Sequence, residues 1–253
     1  MMHTLYVVGF GPGGYEHMTQ KAIEVMKKVD VIVGYTTYVE MVKEYFPEQT
    51  YQTTPMRKET ERCIFAIEEV EQGKDVALIS SGDSGIYGMA GIALQLVQER
   101  GSNIQVEIVP GMTAASVAAS VLGAPLMHDF AIISLSDLVT PLDLIMKRVE
   151  CAAMGDLIVC FYNPRSKKRN DYIIQAAEKL LLHQKGSTPV GVVRHAGRPD
   201  EESFLTTLEE LRNFESWEEE QQKKVDMFTM IIVGNSSTYI RDGKMITPRG
   251  YQI

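Results

Sequence analysis

The sequence predicts an α/β protein built as two α/β domains, and three observations carry that prediction. Runs rich in Val and Ile alternate with helical patterns along most of the chain, the signature of parallel sheets covered by helices. The break Gly123-Ala124-Pro125 interrupts the alternation, which then restarts. Finally, 253 residues with 45% hydrophobic composition are enough for two modest domains with real cores. The expected domains are 1–124 and 125–253.

In the first domain a strand is expected over 4–9, then a helix over 19–29 whose Ala22, Ile23, Met26 and Val29 share one face. A strand over 30–34, helices over 39–45 and 59–72 and a strand over 75–80 follow. A helix over 89–100, a strand over 104–109 and a small-residue helix over 113–122 complete the unit. The second domain reads as strand 130–135, helix 142–152, strand 157–162, helix 171–184, strand 189–194, helix 204–213 and strand 227–233. Asp242-Gly243, between 237–241 and 244–247, is a hairpin turn signal. The acidic, Gln-rich stretch 215–224, with the single tryptophan Trp217, reads as a solvated surface segment.

Composition narrows the function classes. A net charge of -8 and a pI near 5.2 give no global attraction to nucleic acid or to an anionic membrane. No apolar run reaches the roughly 18–20 residues of a membrane span, and the N-terminus lacks the basic region and cleavage site of a signal peptide. A cytoplasmic protein is expected. Cys63, Cys151 and Cys160 are too few and too scattered for a disulfide framework, and the five histidines show no metal-ligand spacing, so no metal site is expected.

Three glycine loops follow predicted strands. Gly9-Phe10-Gly11-Pro12-Gly13-Gly14 satisfies the formal dinucleotide pattern. It lacks the acidic residue at the end of the second strand, where Gly34-Tyr35 stands, and Pro12 stiffens the turn. Ser80-Ser81-Gly82-Asp83-Ser84-Gly85-Ile86-Tyr87-Gly88 lies where a ligand crevice forms in a parallel sheet. Asp83 there reads either as an acceptor for a ribose or amine or as a turn or cap residue. Pro110-Gly111-Met112 feeds the small-residue run from Thr113, which serves close packing or offers a helix N-terminus to a ligand.

Together these loops resemble the motifs of the tetrapyrrole methylase superfamily: Gly9-x-Gly11-Pro12-Gly13, Gly82-Asp83 and Pro110-Gly111-x-Thr113-Ala114. Across nearly the whole chain the sequence is similar to the precorrin-3B C(17)-methyltransferase family and its cobalt-factor III counterpart. The closest matches are Ser80 through Gly91, Ile133-Ser134-Leu135-Ser136-Asp137-Leu138, Phe161-Tyr162-Asn163-Pro164-Arg165-Ser166 and Thr247-Pro248-Arg249-Gly250-Tyr251. The resemblance implies S-adenosylmethionine bound in a cleft between the two domains, an anionic tetrapyrrole substrate, a homodimer, and methylation at ring carbon 17 with ring contraction, in cobalamin biosynthesis. It carries cofactor contacts onto Gly82, Asp83, Ile86, Tyr87, Thr113, Ala114, Tyr162 and Ala196. Ser84 departs from the proline that many superfamily members have after Gly-Asp. Gly11, Pro12, Ser134, Ser136 and Asn163 fall on the substrate side. Other activities of the superfamily, a different precorrin methylation or RNA methylation, are the alternatives, and the low pI weighs against RNA.

A polycarboxylate substrate needs basic residues placed locally. Arg165, Lys167, Lys168 and Arg169 precede a helix N-terminus, where the dipole disfavours positive charge, and are the expected carboxylate ligands, Arg165 and Lys167 foremost. Arg57, Lys58 and Arg62 form a second basic group. His128, Asp129 and His195 are the candidates for acid or base chemistry, with no sequence spacing that ties either histidine to a partner.

Overall fold

A computed structural model describes residues 3–166 and 170–252. The chain divides into two compact units, Met1–Ala114 and Ala115–Ile253.

In the first unit β1 (Thr4–Gly9), β2 (Val31–Tyr35), β3 (Thr50–Thr54), β4 (Val76–Ser80) and β5 (Gln105–Val109) form one sheet in the order β3-β2-β4-β1-β5. Every pairing in it is parallel. Such a sheet is buried on both faces, which is why its central strands read as unbroken apolar runs. Alternation still sorts the side chains. Val8, Phe10, Ile32, Ala77 and Ile79 pack with α1 (Gln20–Lys28) and α2 (Thr36–Val42). Leu5, Val7, Val31, Val33, Val76 and Leu78 pack with α3 (Glu59–Glu71) and α4 (Ala90–Glu99). Thr19 caps α1, its Oγ1 accepting from the Ala22 amide at 3.1 Å. β3 escapes sequence reading because it is a mostly exposed edge strand, Thr-Tyr-Gln-Thr-Thr, with no apolar run.

In the second unit β7 (Phe130–Ser134), β8 (Ile158–Tyr162), β9 (Pro189–Arg194), β10 (Glu202–Thr207) and β11 (Thr229–Val233) stand in the order β10-β9-β11-β8-β7. Only β7 and β8 are parallel; the β8–β11, β11–β9 and β9–β10 pairs are antiparallel. This corrects the expectation of a second parallel sheet. The short 195–201 connection returns the chain beside β9 as a hairpin, a link too short for a parallel crossover. α6 (Leu142–Met154), α7 (Tyr172–Leu181) and α8 (Leu208–Arg212) cover the face bearing Val159, Phe161, Val190, Val192, Ile231 and Val233.

The helix expected over 204–213 is a strand followed by a short helix. Phe204, Thr206 and Thr207 favour a strand, and Thr207 opens α8 through a reciprocal capping box with Glu210. The stretch 215–224 is mostly exposed as expected, but Trp217 is half-buried: it packs edge-on against Phe204 and tilted against Phe214, and its Nε1 donates to the Glu210 carbonyl at 2.8 Å. α5 (Ala114–Leu122) belongs almost wholly to the second unit, ahead of the expected break after Ala124. The reason is close approach: any side chain at Gly191 of β9 would strike Leu122 of α5. β6 (Gly123–Ala124) then pairs with β13 (Lys244–Ile246), itself paired with β12 (Tyr239–Arg241). Asp242 and Gly243 have φ of 49° and 71°, the two left-handed residues of a type I′ turn, as their sequence predicts. Among the described residues no helix is long and apolar enough to cross a membrane.

Candidate functional site

Parallel pairing puts the ends of the adjacent strands β4, β1 and β5 at one sheet edge, where open α/β sheets hold ligands. The three glycine loops meet there. Gly11 and Gly82 exchange both backbone hydrogen bonds, at 3.0 and 2.9 Å, so the first loop is spent on the second and does not form a phosphate cradle. A short 3-10 turn, Tyr15–His17, follows it in place of the helix that a dinucleotide site opens there. Gly11 and Pro12 are buried and shape the backbone of this edge. A Cβ on Gly9 would lie 2.6 Å from the Gly82 carbonyl oxygen, and one on Gly111 would collide with the carbonyls of Gly82 and Gly9. Only glycine permits these backbones to pack this closely.

Asp83 locks the assembly. Its Oδ1 accepts from the amides of Gly85 at 2.8 Å and Ile86 at 3.1 Å, folding its own turn, and its Oδ2 accepts from the Gly111 amide at 3.0 Å in the loop after β5. The turn reading of Asp83 is therefore realised, with a cross-loop brace that its sequence context did not announce. Ser84, in the place of the proline, is fully buried and donates to the Val109 carbonyl at 3.1 Å, a second tie between the same loops. Beyond them Ile86 is half-buried and Tyr87 is exposed.

In the second unit Ser134 and Tyr162 are register partners at the ends of β7 and β8. Ser134 Oγ accepts from Asn163 Nδ2 at 3.0 Å and from the Ser136 amide at 3.2 Å, so these three substrate-side candidates form one cluster. The Tyr162 hydroxyl accepts from the Ala115 amide at 3.2 Å in the first turn of α5, just after Thr113 and Ala114. Ala196 is buried in the turn after β9.

Arg165 departs from expectation. Its Nη1 donates to the Gln222 carbonyl at 2.8 Å and its guanidinium lies 5.1 Å from the centre of the Phe214 ring. It fastens the acidic segment to the domain instead of reaching outward for a carboxylate, because that segment supplies the Gln222 carbonyl and the neighbouring core residue Phe214 an aromatic face. Lys167, Lys168 and Arg169 lie outside the described residues. Arg57 is exposed after β3 with φ of 65°.

The acid–base candidates separate cleanly. His128 and Asp129 are exposed neighbours whose contact is local, the Asp129 amide donating to His128 Nδ1 at 3.0 Å. His195 is held: Nδ1 lies 2.6 Å from Asp200 Oδ2, the ring meets Phe228 edge-on at 5.6 Å, and the side chain is 13% exposed. That hydrogen bond draws the Asp200 carboxyl below its ordinary value and engages Nδ1, so Nε2 is the ring atom with no hydrogen bond among the described residues. Two successive turns, Arg198 amide to His195 carbonyl and Glu201 amide to Arg198 carbonyl, bring Asp200 back to the ring, a closure that sequence spacing alone does not show.

Backbone strain marks the same places. Of the six non-glycine residues with left-handed φ among those described, Arg57, Tyr87, Asn163 and His195 each follow a strand end and each belong to the candidate set. Such conformations cost of order 1–3 kcal/mol and persist where the surroundings enforce them, commonly at functional sites.

Comparison with known proteins converges on one group. Residues 4–212 match the family model described as Tetrapyrrole (Corrin/Porphyrin) Methylases. The chain is 49% identical to the probable cobalt-factor III C(17)-methyltransferase of Salmonella typhimurium, across 98% of this chain and 100% of that one. It is 34% identical to the precorrin-3B C(17)-methyltransferase of a Sinorhizobium species, across 99% and 98%. The crystal structure of the methyltransferase CobJ superposes with a TM-score of 0.86 at 29% identity, covering 98% of this chain and 100% of the other.

Proposed function

We propose that this chain, which belongs to the tetrapyrrole (corrin/porphyrin) methylases and within them to the cobalt-factor III/precorrin-3B C(17)-methyltransferase family, methylates ring carbon 17 of a cobalt-containing corrin precursor and couples that transfer to ring contraction. The fold is the two-domain α/β fold of that family, and its chemistry is methyl transfer from S-adenosylmethionine to a tetrapyrrole in cobalamin biosynthesis. The higher identity to the cobalt-factor III relative, 49% against 34%, supports a substrate with cobalt in place. A cytoplasmic homodimer accords with this reading.

The observation that carries the proposal is the Asp83 brace, which holds the loops after β4 and β5 in one fixed form. The site fits an adenosine group, which carries no phosphate, joined through a sulfonium to an amino-acid tail. The Cβ direction of Gly82 opens onto free space, and the Ser80 hydroxyl at the end of β4 is buried without a partner. Gly82, Ile86, Tyr87, Thr113 and Ala114 would hold the cofactor mainly through backbone, and Tyr162 and Ala196 are the further adenosyl contacts that the family resemblance implies. Bound there, the cofactor supplies a sulfonium methyl group already activated for displacement. The protein's part is to orient the acceptor carbon and exclude water. The Ser134–Ser136–Asn163 cluster and Arg57 would position the macrocycle. His195, oriented by Asp200, is the residue equipped to move a proton at Nε2 during contraction.

The test is incubation with methyl-labelled S-adenosylmethionine and either cobalt-factor III or metal-free precorrin-3B, followed by mass spectrometry. One added labelled methyl on the cobalt substrate is expected. Labelling of the metal-free substrate alone would overturn the cobalt assignment, and labelling of neither would overturn the proposed reaction.

A further inference from the structure

Arg62 is a buried cation with no ion-pair contact among the described residues, although it feels the charge of Glu59, three positions earlier in α3. It sits in the second turn of α3 and is 4% exposed. Its Nε donates to Thr54 Oγ1 at 2.8 Å, Nη2 to the Pro55 carbonyl at 3.2 Å, and Nη1 faces only the Met89 sulfur at 3.7 Å. The guanidinium also lies 6.0 Å from the centre of the Tyr35 ring. Every one of these partners is neutral. Among the described residues no carboxylate comes within 4.0 Å of it, although the chain carries 33 acidic residues and Lys58, four positions earlier, pairs with Glu61. Burying a charge that makes no ion pair is costly, so a merely structural role would be served better by an apolar or amide side chain.

Its position gives the charge a use. Thr54 and Pro55 end β3 and begin the turn that carries Arg57 in its left-handed conformation, and Tyr35 ends β2. Tyr35 meets Tyr38 edge-on at 5.2 Å, and Tyr38 meets Phe10 at 5.9 Å, at the root of the first glycine loop. The cation is thus set into the ligand edge of the first sheet, fixed by its fork to the turn bearing an exposed arginine.

We propose that Arg62 is a positioning residue and buried positive charge for an anionic tetrapyrrole, holding residues 54–57 so that Arg57 meets a ring carboxylate at the ends of β2 and β3. This rests on the tetrapyrrole reading above. Arg57 is the direct ligand, and Arg62 acts through it and through the potential it adds at this edge.

The experiment titrates the full chain with an octacarboxylate porphyrin, uroporphyrin, by fluorescence, and with S-adenosylhomocysteine by calorimetry. Arg62→Met is expected to raise the porphyrin Kd about tenfold or more and to flatten its salt dependence, while Arg62→Lys, which keeps the charge but loses the fork, raises it less and keeps the salt dependence. Neither should move the S-adenosylhomocysteine Kd beyond about twofold, and Arg57→Ala should add little on top of Arg62→Met, the non-additivity of two residues acting as one. Should Arg62→Met not accumulate as folded protein, Thr54→Val removes the Nε acceptor and is expected to raise the porphyrin Kd severalfold. An unchanged porphyrin Kd in the folded variant, equal damage by Lys and Met, full additivity with Arg57→Ala, or parallel loss of S-adenosylhomocysteine affinity would each overturn the proposal. Wild-type protein that binds S-adenosylhomocysteine but no porphyrin would instead overturn the tetrapyrrole reading, and this inference with it.

Discussion

Replacing Asp83 by asparagine isolates the cross-loop brace. The wild-type carboxylate accepts three amide hydrogen bonds, two within its own turn and one from Gly111. Asparagine keeps one acceptor oxygen, enough for the Gly85 and Ile86 amides, but turns its NH2 toward the Gly111 N–H, so donor faces donor. A hydrogen bond to a charged acceptor is worth about 1.5–3 kcal/mol, and an amide left half-buried and unpaired adds a penalty of similar size. Solvent can relieve part of that penalty at a loop edge, which leaves a cost near 2 kcal/mol to hold the loop after β5 in its present form. If that form is the one that binds cofactor, the whole cost appears in affinity, about thirtyfold in Kd. Calorimetric titration with S-adenosylhomocysteine reads it directly, and alanine, which loses all three bonds, should be worse. An Asp83→Asn Kd within twofold of wild type, in protein whose melting temperature has fallen, would refute the link between brace and binding and leave Asp83 a purely structural turn residue.

Other consequences follow from the same geometry. Arg165→Ala should lower the melting temperature by releasing the Gln222 carbonyl of the acidic segment and the contact on the Phe214 ring, with the porphyrin affinity unchanged; a selective rise in porphyrin Kd would restore the carboxylate-ligand expectation for this residue. Burial pushes the Cys63 and Cys160 thiols up to about 12, so a thiol reagent at neutral pH should modify exposed Cys151 alone until the chain is denatured, and rapid labelling of all three would contradict the packing. The His195 hydrogen bond lowers the folded Asp200 carboxyl below its ordinary 3.8, so its stabilisation is present above that value and is lost as pH falls through the lowered one. Melting curves against pH should show Asp200→Asn losing stability at neutral pH and less in strong acid; an equal loss at all pH values would exclude the ionic contribution.

Much of the architecture is legible in the residues themselves. The central strands of the first sheet are apolar because they are buried on both faces, and Thr19 and the Asp242-Gly243 turn act through local backbone chemistry that needs no distant partner. The three glycine loops are legible for the same reason, since each answers a local demand for close backbone approach. What failed was structure whose local signal is faint or mixed. β3 carries no apolar run because it lies at a sheet edge, and the segment 204–213 shows its helical end more strongly than its strand, although Thr207 and Glu210 mark where the strand stops.

Direction and partnership belong to the tertiary structure. A strand's residues are nearly the same whether its neighbour runs parallel or antiparallel, so only the fold shows that the second sheet is mixed. Asp83 with Gly111, His195 with Asp200, and Arg62 with Thr54, Pro55 and Met89 are likewise decided by which loops the fold brings together. The residue types set what each group can do; the distances between chain segments decide whether Arg165 grips a ligand or a carbonyl of its own chain. A charge has no fixed role until the fold supplies its neighbours, and among the described residues the fold gives Arg62 neutral hydrogen-bond partners and no carboxylate in ion-pair contact.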